Sequence, residues 1–251
     1  MDEYKCLKTF EKQFMSFCHG YNHADVFCDI VDLSIAFFQF YGDKEVGDYL
    51  KKKYGKDYEK LCFVFNEMVF AYKEGINRGN WYDGFGLFYE NISSSYKSSR
   101  LGQYFTPKPI CDLMAEISIG KKKNARVLDN ACGSGRMLLA ANNIILGNTY
   151  FANDIDPICS KMTAINMCIH GLRGQAVCAN GLWYGDSWRF GFAVNENLKF
   201  GFPSIRKITQ GECFQSLSLE SMRKEPEKEA VEIIIKKPTK KELRELQMSL
   251  F

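Results

Sequence analysis

Two glycines, Gly133 and Gly135, separate a short apolar run at 125–128 from a stretch with helical spacing at 136–145. A strand-to-helix turn that tight needs a backbone freedom and a close approach that a Cβ denies. The pattern then repeats: an apolar run at 149–152, a helix opened by Pro157 and capped by Asp156, and a third run at 176–179. Strand-length runs alternating with helices commit the chain to an α/β fold on a parallel, doubly wound (Rossmann-like) sheet. After the third run the alternation stops. The remainder of the chain includes an aromatic stretch at 188–194 and a β-branched run at 231–235 within a densely charged tail. The expected sheet is therefore incomplete, with an open edge covered by one of those segments or by another chain.

Ahead of the sheet, residues 1–92 read as a helical N-terminal domain. Phe10, Phe14 and Phe17 recur at helical spacing, and 24–41 is apolar nearly all round, as a central bundle helix is. Leu61, Phe65, Met68 and Tyr72 line one face of a helix at about 56–76. Gly79, Asn80, Gly84 and Gly86 then break the pattern, and the serine-rich stretch 93–99 reads as a linker. Thr106 is placed to cap a helix with Pro107 at its first position. The expected division is 1–92 helical, 93–212 α/β, and 213–251 a charged tail.

The bulk numbers exclude several classes. A composition 46% hydrophobic and 25% charged is that of a globular protein with one sizeable core. A net charge of +3 gives no argument for nucleic acid, which must rest on motifs or local patches. Ten cysteines stand singly with no Cys-x-x-Cys and only three histidines, which argues against zinc and for a reducing cytoplasm. The first residues are acidic, without the apolar region of a signal peptide. The most apolar stretch, 31–41, is interrupted by Asp32 and Gln39 and is too short to span a bilayer. No membrane is expected.

Three motifs carry the chemistry, in this order: Gly102-Gln103-Tyr104-Phe105-Thr106-Pro107, then Asp129-Asn130-Ala131-Cys132-Gly133-Ser134-Gly135, then Asn153-Asp154-Ile155-Asp156-Pro157. Order and spacing resemble the cofactor half of N6-adenine DNA methyltransferases, including the modification subunits of type I restriction systems. The resemblance covers roughly 95–182. It implies an S-adenosylmethionine-dependent methyltransferase fold, a bacterial restriction-modification setting and DNA as a partner. It further implies that Gln103, Tyr104, Phe105 and Thr106 contact the amino-acid end of S-adenosylmethionine, and that Asp129 faces the ammonium beside Ala131, Gly133 and Gly135. Asp154 then receives the ribose hydroxyls, as the acidic residue of dinucleotide folds does. Asn180 stands where the family has an aspartate accepting from the adenine amine, and its carbonyl still offers an acceptor. Ile155, Leu182 and Trp183 flank the ring. Asn130 replaces the proline of the family's Asp-Pro-Ala-Cys-Gly-Ser-Gly.

The family's (Asn/Asp/Ser)-Pro-Pro-(Tyr/Phe/Trp) motif, which holds a flipped base, does not occur here: all six prolines are isolated. Phe202-Pro203-Ser204 lacks an amide acceptor, and Asn195-Glu196-Asn197 lacks an adjacent aromatic. No catalytic residue is assigned, nor is a target-recognition domain seen. One reading is a methylase inactive alone, a pseudoenzyme, or one completed by a partner chain or second copy. The alternative is a non-catalytic module at replicating DNA. Gln247-Met248-Ser249-Leu250-Phe251 resembles the peptide by which bacterial proteins dock on the sliding clamp. There Gln247 makes polar contacts while Met248, Leu250 and Phe251 fill a groove.

Overall fold

The computed structural model describes residues 3–40, 42–95, 104–120, 122–181, 187–214 and 233–234. Five helices come first: α1 (Lys8–Phe17), α2 (His23–Phe37), α3 (Lys44–Tyr54), α4 (Tyr58–Arg78) and α5 (Gly84–Ser95). Asn22 starts α2 by accepting from the Ala24 and Asp25 amides, and Asp43 starts α3 by accepting from Val46. Phe10, Phe14, Leu61, Phe65, Met68 and Tyr72 are buried as their spacing requires, with Phe17 half-buried.

Two helices depart from expectation. The polar, lysine-rich α3 hides its amphipathic pattern behind only two buried residues, Leu50 and Tyr54. The glycines expected to end the helical block, Gly84 and Gly86, lie instead within α5. There Gly86 is a packing residue: a Cβ would stand 2.0 Å from Asp83 Oδ2 and 2.6 Å from Ser134 Oγ.

Helix α6 (Lys108–Ile119) leads into the sheet, followed by β1 (Arg126–Asp129), α7 (Arg136–Ile144), β2 (Thr149–Asp154), α8 (Pro157–Ile169) and β3 (Arg173–Cys178). At α6 the cap is Pro107 rather than Thr106; the Thr106 carbonyl instead accepts from Arg136 and Cys111. Asp156 caps α8 as expected, accepting from Ile158 and Cys159. Strands β4 (Phe190–Val194) and β5 (Ile205–Ile208) are antiparallel additions beside β3, and β6 (Ile233–Ile234) lies parallel beside β1. The strand order is β5-β4-β3-β2-β1-β6. Both segments expected as candidates to cover an open edge therefore do so, one on each side.

The α/β class and the incomplete winding are as expected. Val127, Tyr150, Ala152, Ala176, Phe192 and Val194 share one core with buried residues of α6, α7 and α8, and that core runs on through Phe27, Ile30 and Phe88 of the helical block. The opposite sheet face carries a smaller cluster of Val177, Ala179, Cys213 and Phe214. Among the described residues the helices thus cover one face. Strand order runs outward from β1 through β3 and reverses at β6, so the switch point lies at the carboxyl end of β1, where open α/β sheets receive ligands.

Candidate functional site

At that end the dipeptide Asn153–Asp154, closing β2, ties together the turns that leave β1 and β3. The Asn153 carbonyl accepts from the Cys132 amide (3.1 Å) and the Asp154 carbonyl from the Ala179 amide (3.0 Å). The Asp154 carboxylate accepts from the Gly133 amide through Oδ2 (2.8 Å) and from the Asp156 amide through Oδ1 (2.9 Å). Two strong acceptors held by backbone donors leave further lone pairs on each oxygen. Burial, with the Asp156 charge adding to it, lifts the Asp154 carboxyl above the usual carboxylate range, against the pull of those backbone bonds.

The glycine turn is built as its sequence requires, with Gly133 at φ +55° and Gly135 at φ +89°. What a Cβ would strike is protein: the Phe105 ring 2.8 Å from Gly133, and Thr163 3.0 Å from Gly135. Phe105 therefore lies directly on the turn. Thr163 Oγ1 donates to the Gly133 carbonyl from below (2.8 Å).

A buried polar cluster holds Phe105 there. Asp83, 2% exposed, accepts from Ser134 Oγ and Arg136 Nε (both 2.6 Å), from Asn166 Nδ2 (2.8 Å) and from the Gly86 amide (2.9 Å). Arg136 reaches on to Glu90 through Nη2 (2.7 Å), and Glu90 in turn accepts the Phe105 amide (2.8 Å). Asn166 also donates to the Ser134 carbonyl (2.7 Å) and accepts from Tyr72 (2.5 Å). His170 Nε2 accepts the Tyr82 amide, which assigns the ring proton to Nδ1, facing the Asn166 carbonyl at 2.8 Å. Burial pushes His170 below its usual pKa. Four elements and the turn meet in this cluster, and none of Asp83, Glu90, Asn166 or His170 stands out in the sequence motifs.

The structure brings most of the predicted site residues together. Asp129, half-buried, accepts the Ala131 amide (3.2 Å); Ala131 is exposed. Ile155 is 56% exposed beside Asp154, and the backbone N–H of the half-buried Asn180 donates to Ser187 Oγ (3.0 Å). Asp129, Gly133, Asp154, Ile155 and Asn180 thus all stand at the carboxyl ends of β1–β3 or the turns leaving them. Phe105 packs on the same turn. Tyr104 is 90% exposed, and the half-buried Thr106 accepts from Arg136 through its backbone carbonyl. Gln103, Leu182, Trp183 and the clamp-like residues 247–251 lie outside the described residues. Asn195 is structural: its Nδ2 donates to the Met167, Cys168 and Leu172 carbonyls.

The donor set suits an adenosyl ligand with a charged amine. It has two carboxylates, one ordered by backbone donors with lone pairs to spare, an exposed apolar side chain beside it, and an amide beyond β3.

Residues 80–188 match the family model N-6 DNA Methylase, a segment that takes in the Asp83 cluster as well as the glycine turn. The chain is 35% identical over 103 residues to the type I restriction enzyme MpnII methylase subunit of Mycoplasma pneumoniae, covering 37% of this chain and 19% of that protein. It is 26% identical over 173 residues to the MjaVII methylase subunit of Methanocaldococcus jannaschii, covering 60% and 28%. A solved type I restriction-modification methyltransferase subunit from Streptococcus thermophilus superposes loosely, with a TM-score of 0.32 at 21% identity over 65% of this chain and 37% of that one. The family-model match and the two methylase subunits bear out the sequence resemblance to the N6-adenine DNA methyltransferase family. The chain spans 19% and 28% of the two methylase subunits it matches. Among the described residues no helix is long and apolar enough to cross a membrane.

Proposed function

We propose that this chain is the cofactor-binding part of an N6-adenine DNA methyltransferase, binds S-adenosylmethionine at the carboxyl ends of β1–β3, and does not methylate DNA unaided. The observation that carries this is the Asp154 carboxylate, fixed by the Gly133 and Asp156 amides at the switch point of the sheet. Bound there, S-adenosylmethionine supplies an electrophilic methyl group. Asp154 accepts from the ribose hydroxyls, Asp129 faces the ammonium, and Ile155 and Asn180 meet the adenine by its face and edge. Holding an adenine substrate needs the flipped-base motif that these 251 residues do not present, so a partner subunit or further chain supplies it. DNA is engaged through that assembly.

Calorimetric titration tests the first half. Wild type is expected to bind S-adenosylmethionine saturably, and Asp154→Ala to lose affinity by roughly 10–100-fold, the worth of hydrogen bonds to a charged group. No binding by wild type at millimolar ligand would overturn the reading. Methyl transfer from labelled cofactor to DNA by the chain alone is expected to be nil, and incorporation would sink the second half.

The raised Asp154 pKa adds a pH signature. A protonated carboxyl accepts fewer bonds, so affinity should fall on acidification earlier than an ordinary aspartate would dictate. The stability effect has the opposite sign. A carboxyl whose folded pKa is raised contributes stability below its unfolded pKa and loses it as pH rises through the folded value. Affinity measured across an acid series should thus begin to decline at higher pH in wild type than in Asp154→Asn, where only the remaining carboxylate titrates; coincident profiles count against the assignment.

A further inference from the structure

Asn153 is wholly buried and, by alternation along β2, projects from the sheet face opposite Asp154. Its Nδ2 donates to the Ala179 carbonyl (3.1 Å) and the Asn130 carbonyl (3.4 Å), one in the turn after β3 and the other in the turn after β1. Gly181 lets those turns approach: a Cβ there would stand 2.9 Å from the Asn130 carbonyl oxygen and 3.2 Å from Asn153 Nδ2. Asn153 Oδ1, by contrast, is buried and has no donor. Flipping the amide would not help, because the oxygen would then face two carbonyls. An orphaned buried acceptor carries a desolvation penalty that an apolar side chain of similar shape avoids. What the amide supplies in return is a bond to each of the two turn carbonyls, and so a bridge between the turns that an apolar side chain would not make.

We propose that Asn153 is a positioning residue for the nucleoside end of the bound ligand. Its Nδ2 sets the gap between the Asn130 and Asn180 turns in which an adenine is received. The inference rests on the proposed cofactor reading and separates from it experimentally.

The test titrates Asn153→Leu and Asn153→Ser with S-adenosylmethionine and with 5′-methylthioadenosine, which lacks the amino-acid end, and takes a urea midpoint for each protein. Both variants are expected to remain folded, with a midpoint lowered by the loss of the two turn-carbonyl bonds, and to lose affinity for both ligands about equally, by roughly tenfold. Asp129→Ala, at the amino-acid end, is expected to weaken S-adenosylmethionine and spare methylthioadenosine. Unchanged affinity in a folded Asn153 variant overturns the proposal, as does a loss confined to S-adenosylmethionine. If Asn153→Leu does not fold, Asn153→Ser decides; if neither folds, the residue is structural and the proposal fails. Should wild type bind neither ligand, the cofactor reading falls and takes this inference with it. Should Asp154→Ala lose binding while both Asn153 variants bind like wild type, only this inference falls.

Discussion

Arg136→Met is expected to lower folding stability by about 3–5 kcal/mol, read as a fall in the urea midpoint at unchanged slope. The methionine fills much of the same volume, so the loss comes from stranding Asp83 and Glu90. Asp83 is 2% exposed and cannot recruit water freely, while Glu90 is partly exposed and can. Three neutral donors remain on Asp83, from Ser134, Asn166 and the Gly86 amide, which places the expected cost toward the lower end of that range. Replacing Asp83 as well would not restore stability, because those same donors would lose their acceptor. Arg206 is the internal control. It also bridges two carboxylates, Glu196 and Glu212, yet lies half in solvent, so Arg206→Met should barely move the midpoint. Equal losses in the two variants would mean that the buried cluster contributes no more than a surface pair.

The same cluster shows how much of the site is legible in the chain. The glycine turn, the acidic strand ends and the Asp156–Pro157 helix start are local devices, each specified by residues one to three apart, and each stands where its local pattern puts it. The cluster is assembled from afar: Asp83 meets Ser134, Arg136 and Asn166 across 51, 53 and 83 positions. Only the packing of α5 and α8 on the turn brings them together. A signal for α5 is present, since Phe85, Phe88, Tyr89 and Ile92 fall at i, i+3, i+4 and i+7 and are all buried. Gly84 and Gly86 obscure it. Glycine weakens a helix by propensity, but here its missing Cβ admits Asp83, and tertiary packing overrides the local preference. Strand β4 is legible only as an aromatic stretch, because a strand paired on an edge needs a partner that no local window names.

Among the described glycines, Gly174→Ala is expected to be the most damaging addition of a single methyl group. Gly174 pairs with Tyr150 on one side and Val194 on the other, in the middle of the sheet, at φ +156°. An added Cβ would stand 1.7 Å from the Tyr150 carbonyl oxygen, a backbone atom that cannot rotate aside. Relief requires β3 to draw away from β2, which breaks ladder bonds and shifts the Ala179 turn relative to Asp154. Strain at a disfavoured φ and overpacking in a fixed core each cost about 1–3 kcal/mol, and their sum reaches the exceptional range above about 4 kcal/mol. Most of a marginal stability would be lost, so the variant should unfold at much lower urea, or fail to fold at all, and bind no ligand. The matched control is Gly47→Ala in α3, where a Cβ meets nothing within 4 Å. That change should stabilise by about 0.5–1 kcal/mol, because it only narrows the unfolded ensemble and improves helix propensity. Opposite signs for one chemical change would locate the effect in the β2–β3 contact; a Gly174→Ala midpoint near wild type would mean the strands are not held at that separation.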